Sequence, residues 1–465
     1  MKLLLIILPM SSKEKYGTLA DVGTLYPSLG LAYVAAYAEM DGHEVKVIDC
    51  EAEEKGYDDI NTIALGFQPD LVGMQTYCTN INKVFKIAKS LKGIVKTRVV
   101  LGGAHATLDP MGAITNEHVD FVIRGEGEIG LARLLKALGS KTFSDIPGLV
   151  YKENNEIKIN KPVEPMPCLD DIPFPARHLF PMDRYHSSAN LRGKRTLNIM
   201  TSRGCPFRCL YCAGSLIFGT SHRFNSTERI IEEIKSLKEK YNIDSLQFYD
   251  ETFTLNKERI NELCDTMIKE KLNLEWSCFT RVDLVSKDLL TKMKEAGCYL
   301  IFYGLESGVQ RLLDLIEKDI TLQACEKAIK ISHKLGIETW ASFMLGLPTE
   351  TLEDSYRTID FAIELSPTFA QFTFATPFPG TGLYDLAACH GKVKTDWGNF
   401  TGWSEAAFIP HGRKEEEMKS LVKLAYRRFY LRPNYMLKII PSIARLPFNK
   451  SLALIKAGVL TLFTK

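Results

Sequence analysis

The sequence predicts an α/β protein in two successive units: an N-terminal, doubly wound Rossmann-like parallel sheet, then a partial (β/α)6 barrel, with a helical C-terminal tail. Three observations predict it. Short β-branched runs alternate with helical stretches, the pattern of parallel strands joined by crossover helices. That alternation breaks once, over a proline-rich segment, and then resumes. In the second array, polar or special residues fall at the same end of six successive strands, where barrels of this kind gather their chemistry.

The first array occupies residues 1–140. "KLLLIIL", "EVKVID", "DLVGMQT", "TRVVLGG" and "VDFVIRG" are its strands, separated by helical stretches such as "SLGLAYVAAYAEMDG". The opening "MKLLLIILPM" has too short an apolar run for a signal peptide and no small-residue cleavage site, so it reads as a buried strand. Ligands of doubly wound sheets bind beyond the carboxyl ends of the strands. Those ends carry Pro9, Met10, Thr76, Gly102, Gly103, His105, Arg124, Gly125 and Glu126. Residues 141–195 are proline-rich, which rules out long helices and central strands. They read as a connector wrapped over both units, with one hairpin at Asn154–Asn155.

The second array, residues 196–400, has six strands: "TLNIMTS", "SLQFYD", "EWSCFTR", "YLIFYGLES", "ETWASFMLG" and "FAQFTFATP". Among its helices, "STERIIEEIKSLKEKY" offers Ser226 and Thr227 as caps. Cys205, Asp250, Arg281, Glu306, Gly346 and Thr376 lie at or just past the strand ends. Residues 401–465 form the tail. From Met418 onward it holds ten Lys or Arg and no Asp or Glu, in helices interrupted at Pro433, Pro441 and Pro447.

Composition narrows the function. A net charge of +2 over 465 residues gives no support for a nucleic-acid partner. No run of about 20 apolar residues is present to span a membrane. The eleven cysteines are odd in number, and Cys50, Cys78, Cys264, Cys278, Cys298 and Cys325 stand alone in apolar segments. They read as small core hydrophobes rather than a disulfide framework, so the expected compartment is reducing, the cytoplasm.

Three cysteines are different. "TSRGCPFRCLYCAG", residues 201–214, spaces Cys205, Cys209 and Cys212 as C-x3-C-x2-C. Structural zinc and ferredoxin clusters each take four protein ligands, and no second pair follows. Three thiolates on one loop fit best a four-iron, four-sulfur cluster with one iron left open. The loop resembles the signature of radical SAM enzymes, with Tyr211 in the aromatic position. That resemblance extends over residues 196 to about 390. It implies that the open iron binds S-adenosylmethionine and that Asp250 and Glu251 in "FYDETFT" contact its methionine amino group. It further implies that Arg281 and Glu306 handle carboxylate and ribose, and that "FMLGLP", with Gly346, lies along the adenine.

The first array lacks G-x-G-x-x-G after a strand, which weakens a nicotinamide or flavin reading. It also lacks D-x-H-x-x-G, and His43 sits in a turn at the amino end of a strand. "YPSLGLAYVAAYAEMDGHEVKVID", "GGAHAT" and "VIRGEGE" instead resemble the N-terminal domain of cobalamin-dependent radical SAM enzymes. By that resemblance Thr76, Gly102, Gly103, His105, Gly125, Glu126 and Gly127 lie near a cobalamin. Methylthiotransferases would need three further cluster cysteines in this domain, where only Cys50 and Cys78 stand.

The resemblance implies an enzyme that cleaves S-adenosylmethionine reductively to a 5′-deoxyadenosyl radical and methylates an unactivated carbon through methylcobalamin. Cyclisation, oxidation or coupling without net methylation is the alternative, and a non-catalytic corrinoid or iron–sulfur carrier is a second. The implied partners are a small-molecule or lipid-like substrate and an external electron donor of flavodoxin or ferredoxin type. In the tail, Lys419, Lys423, Arg427, Arg428 and Arg432 share a helix with Leu421, Leu424, Phe429 and Leu431. That interleaving suits a helix making peripheral contact with the inner face of an anionic membrane, or a tail packed on the barrel mouth with its charges in water, which is the plainer reading.

Overall fold

Leu3 and Leu5 point to one side of the first strand, β1 (Lys2–Ile7), and Leu4 and Ile6 to the other, and all four are buried. A strand buried on both faces needs a helical layer on each, and that is the arrangement in the computed structural model, which describes residues 1–11, 14–15 and 23–454. β1 pairs in parallel with β2 (Glu44–Asp49) and β3 (Leu71–Gln75), and the ladder continues through β4 (Arg98–Gly102) and β5 (Phe121–Ile123). Leu3, Leu5, Val100 and Phe121 pack with the helices at Leu29–Met40 and Gly127–Ser140. Leu4, Ile6, Val72 and Leu101 pack with those at Tyr57–Phe67 and Ile81–Ile94.

The sheet does not end at residue 140. β6 (Leu149–Glu153) and β7 (Glu156–Ile159) add antiparallel to β5, giving the order β2-β1-β3-β4-β5-β6-β7. The expected hairpin is present, with Asn154 and Asn155 both at positive φ, as its two-residue turn requires. It belongs to the first unit rather than to a connector. The remaining prolines run from there to β8 (Thr196–Ile199) through short single turns.

The second sheet is all-parallel and open, in the order β15-β14-β13-β12-β11-β8. Its later strands are β11 (Ser245–Phe248), β12 (Glu275–Thr280), β13 (Cys298–Glu306), β14 (Glu338–Leu345) and β15 (Phe369–Phe374). A two-residue ladder, β9 (Ser202–Arg203) with β10 (Arg223–Phe224), closes the loop after β8. Helices such as Thr227–Tyr241 cover the outer face; Ser226 caps that one by accepting from the Arg229 N–H, and Thr227 is already helical. Isolated cysteines Cys264, Cys278, Cys298 and Cys325 lie in this packed layer, and all eleven cysteines are free thiols.

Of the two forms open to the tail, its first helix takes the packed one. The helix Glu415–Tyr430 lays Met418, Leu421, Val422, Ala425 and Phe429 against the barrel. Tyr426 and Tyr430 donate to the Phe372 and Ala370 carbonyls of β15. Three of the five cations named above are engaged at the protein surface: Lys419 pairs with Glu405 and Glu415, Arg428 with Asp360, and Arg432, just past the helix, donates to the Phe429 and Ile363 carbonyls. This helix therefore does not offer its apolar face to a membrane. Exposed apolar residues come later: Met436, Leu437 and Ile440 on the helix Pro433–Ala444, then Phe448 and Leu452. Pro441 does not interrupt that helix but sits inside it. Residues 455–465, the end of the basic tail, lie outside the described residues. No described helix is long and apolar enough to cross a membrane.

Candidate active site at the strand ends

Backbone constraints shape the three-cysteine loop. Gly204 has φ +86°, and a Cβ there would stand 2.1 Å from the Ser221 carbonyl oxygen, so the turn into Cys205 admits only glycine. The Cys212 N–H donates to the Cys209 carbonyl at 3.0 Å and curls the chain back. The Leu210 N–H donates to the Ile316 carbonyl, and the Leu210 carbonyl accepts from the Leu383 N–H, which clamps the loop between the helices that follow β13 and β15, Gln310–Leu315 and Gly382–His390. Cys205 and Cys209 are half-buried and Cys212 is exposed.

The thiols open on a cavity of about 310 Å³ within the barrel mouth. Arg281 borders it, stacked 3.7 Å over the Phe207 ring, bonded to Asp283 and 3.7 Å from the Cys209 sulfur. Opposite stands a buried polar trio. Tyr211 donates to Glu306 Oε1 at 2.8 Å, and Lys318 Nζ donates to the Tyr211 hydroxyl at 2.7 Å and to Glu306 Oε1 at 2.9 Å. Glu306 is held at φ +65° beside a shift in the β13–β14 register. A non-glycine residue in that conformation costs about 1–3 kcal/mol and belongs to sites where a side chain is re-aimed.

Asp250 and Glu251 part company. Asp250 is fully buried and satisfied by the Thr201 N–H, the Thr201 hydroxyl and the Ser202 hydroxyl, at 2.7, 2.6 and 2.7 Å, with Arg259 3.7 Å away. It anchors the start of the cysteine loop and does not face the cavity. Glu251 does. Burial, then the neighbouring Asp250 charge, push its carboxyl up to about 7, and its Oε2 is buried without a partner among the described residues. A Cβ on Gly214 would stand 2.0 Å from Glu251 Oε1, so glycine leaves that carboxylate its room beside Cys212. Gly346, at φ +81°, borders Met418 of the tail helix rather than the cavity.

A larger cavity, about 550 Å³, lies between the two units. Gly102, Gly103, Gly125, Glu126 and Gly127 line it from the first sheet; Asn198, Met200, Arg203 and Tyr249 line it from the second. Gly103, at φ +97°, passes so near Thr76 that a Cβ would touch its backbone at 3.0 Å. Thr76 itself is fully buried, its hydroxyl donating to the Gly102 carbonyl and accepting from the Ala106 N–H. It braces the glycine turn without reaching the cavity. His105 is turned away as well. It is buried with Nδ1 3.2 Å from the Cys78 sulfur and its ring edge-on to Trp397, and burial holds its pKa below the usual histidine value. His43 sits by the N-terminal amine and lines neither cavity.

Glu126 makes the strongest link between the units. Arg203, two residues before Cys205, bonds Glu126 and Glu128, each at 2.7 Å, and Arg223 also pairs with Glu126. All four side chains are buried. Desolvation opposes the Arg203 charge, but Glu128 and Glu126 outweigh it and raise its pKa. Sequence reasoning missed Arg203, Glu128, Gly214 and Lys318. Of these only Gly214, adjoining the cysteine spacing, carried a local signal.

The donor set fits the groups its chemistry calls for. Three thiols on one clamped loop leave a fourth position to a ligand. Among the described residues no three His, Cys, Asp or Glu converge as for a single ion; a multi-iron cluster does not need them to, because each thiolate takes a different iron. A glycine-rich rim on a large cavity admits a flat cofactor.

Fold and site together define a radical SAM protein with a cobalamin-type N-terminal domain. The B12 binding domain family matches residues 17–135, and the Radical SAM superfamily matches residues 199–362. The chain belongs to the cobalamin-dependent radical SAM methyltransferase family. It is 38% identical to an uncharacterized methyltransferase of Pyrococcus horikoshii over 95% of each chain. It is 29% identical to the cytidylyl-2-hydroxyethylphosphonate methyltransferase of Streptomyces wedmorensis over 77% of each. It is 27% identical to the anaerobic magnesium-protoporphyrin IX monomethyl ester cyclase of Rubrivivax gelatinosus, over 90% of this chain and 76% of that one. In fold it is similar to the cobalamin-dependent S-adenosylmethionine radical enzyme OxsB, with a TM-score of 0.75 and 17% identity over 98% of this chain and 70% of that one.

Proposed function

We propose that this protein is a C-methyltransferase that holds a four-iron, four-sulfur cluster on Cys205, Cys209 and Cys212, S-adenosylmethionine in the barrel cavity, and cobalamin between the units. The observation that carries this reading is the adjacency of the two cavities: Arg203 lines the interdomain one while its own chain runs directly into the cysteine loop. When bound, the cluster supplies the electron that cleaves S-adenosylmethionine, and the cobalamin supplies the methyl group.

The chain's own residues bind, orient and exclude water. Glu251, with its unpartnered oxygen beside Cys212, receives the methionine amino group. Arg281 faces the carboxylate. Glu306, fixed by Tyr211 and Lys318, presents its remaining oxygen to the ribose hydroxyls. Gly102, Gly103, Gly125 and Gly127 let backbone approach the corrinoid, with His105 and Thr76 supporting them from behind. The exposed Cys212 gives a flavodoxin- or ferredoxin-type donor a short path to the cluster. Free thiols throughout fit a cytoplasmic setting. Anaerobically reconstituted protein tests the proposal. It should carry near-stoichiometric corrinoid and form 5′-deoxyadenosine, and Cys209→Ala should form none; iron and sulfide without corrinoid would remove the methyl-transfer reading.

A second reading, ring closure without net methylation, is favoured by the cyclase relative. Methyl incorporation from labelled S-adenosylmethionine separates the two. For a lipid-like substrate the relevant surface is the exposed face of Met436, Leu437 and Ile440, in a stretch that from Met418 onward has no Asp or Glu. Co-sedimentation of wild type with anionic vesicles, compared with Leu437→Ser/Ile440→Ser, tests peripheral contact; equal pelleting overturns it. Truncation before the helix Glu415–Tyr430 is unsuitable, because it strips buried residues from the barrel.

A further inference from the structure

Strand register places one aromatic side chain after another along the inner face of the second sheet. Phe279 on β12 pairs with Phe302 on β13, and Phe302 with Trp340 on β14. Tyr249 follows Phe248, whose partner is Cys278, so Tyr249 stands level with Phe279. The rings follow one another: Tyr249 lies tilted at 44° and 5.7 Å from Phe279, while Phe279 stacks on Phe302 at 4.5 Å and 25° and Phe302 on Trp340 at 4.9 Å and 30°. This makes a continuous apolar strip across four parallel strands.

Closed barrels fill such a layer with side chains from the opposite wall. Here the sheet is open, all four rings are only half-buried, and the strip borders both cavities. Tyr249 belongs to the interdomain cavity; Phe279, Phe302 and Trp340 belong to the one under the cysteine loop. The indole N–H of Trp340 is already spent on Gln371 Oε1 at 3.0 Å, which leaves its ring face as the surface on offer. Ser342 and Gln371 flank the strip at β14 and β15, while Arg281 and Glu251 stand two residues past Phe279 and Tyr249, at the cysteine-loop end of the cavity. The Glu306 carboxylate and the Lys318 ammonium reach back against Gly304, two residues past Phe302, and are paired with each other there at 2.9 Å.

We infer that this strip is the substrate platform, and that it selects a planar, ring-bearing molecule whose body is uncharged, laid face-on across Phe279, Phe302 and Trp340 with its end toward Tyr249. The inference rests on the function proposed above, for it assigns the substrate class of that site. Aromatic faces favour offset stacking of another π-system beyond the area buried, whereas a flexible aliphatic chain gains only the area and loses more freedom.

The test is binding of two uncharged probes to anaerobically reconstituted protein, 2-naphthylmethanol and n-decanol, followed by calorimetry and by saturation-transfer NMR. Naphthylmethanol should bind, n-decanol should bind at least tenfold more weakly, and Trp340→Leu and Phe302→Leu should each weaken naphthylmethanol at least tenfold. Trp340→Phe, which keeps a ring, should stay within threefold of wild type and controls for folding. Equal affinity for the two probes, or naphthylmethanol binding unchanged in both leucine variants, overturns the inference. Formation of 5′-deoxyadenosine by the wild type is read separately, so failure of the enzymatic reading and failure of the platform are distinguishable.

Discussion

Glu251 and Asp250 are adjacent, both acidic, and both at a strand end, yet one faces the cavity and the other is consumed by Thr201 and Ser202. Successive residues of an extended chain point to opposite sides, so sequence could place the pair but not choose between its members. Glu251→Gln removes a charge from the cavity while leaving Asp250 to hold the loop. The expected outcome is intact cluster absorbance with S-adenosylmethionine bound about tenfold more weakly, as for loss of one charge-assisted hydrogen bond, measured by equilibrium dialysis. Lys318 was illegible for another reason. It lies twelve residues beyond Glu306 in sequence, after the short helix Gln310–Leu315, and only the fold returns it to 2.9 Å. Lys318→Met leaves Glu306 buried without its cation, a loss of about 3–5 kcal/mol for a broken buried pair. Urea unfolding should show that drop, and 5′-deoxyadenosine formation should fall with it.

Most strands and helices were legible because their composition is locally decisive: β-branched runs between capped, amphipathic helices. The hairpin β6–β7 shows the limit. Its Asn154–Asn155 turn is a local signal, but pairing with β5 is a long-range event that no short window reports. The tail shows it too, since its basic–apolar periodicity suits a membrane or a barrel equally well, and β15 took it. One element carries its own pH dependence. His333, at the end of the helix Leu322–Lys334, bonds Thr339 of β14 at 2.9 Å. Burial first, then the nearby Lys438 charge, lower its pKa to about 4. Because the folded value lies below the unfolded value of about 6.5, its contribution is fully present above pH 6.5. It is lost as pH falls from there toward 4, when the unfolded chain takes up the proton first. Discounted for its partial exposure, the loss is about 1–2 kcal/mol. Thermal melts at pH 6.5 and 4.5 should differ more for wild type than for His333→Gln, which has nothing to titrate there.

The whole molecule depends on two sheets meeting at a fixed distance, and the contact that sets it is electrostatic. Arg203 and Arg223 from β9 and β10 enter a buried cage with Glu126 and Glu128, at the mouth of the helix that follows β5. Aromatic rings from both units flank the Arg203 guanidinium, Tyr33 at 5.0 Å and Phe218 at 5.9 Å. The helix after the cysteine loop adds to the seam, with the Ile217 carbonyl close to Gly125. None of this was visible in the sequence, where "SRG" and "RGEGE" lie some seventy residues apart and read as unrelated turns. Such a cage contributes more to geometry than to net stability, because desolvation cancels much of its attraction until one partner is removed. Arg203→Met breaks it, leaving Glu128 buried without its cation while Glu126 keeps Arg223, at a cost of about 3–5 kcal/mol located at the seam. The two packed cores are otherwise untouched. Corrinoid retained after gel filtration should therefore drop at least tenfold in Arg203→Met, while iron and sulfide content stays near that of wild type. Arg203→Lys should recover part of the retention, since it restores one charge but not the forked reach to both carboxylates. Equal losses of iron and corrinoid would instead make Arg203 a general support of the loop, and full retention of both would show that packing alone holds the units together.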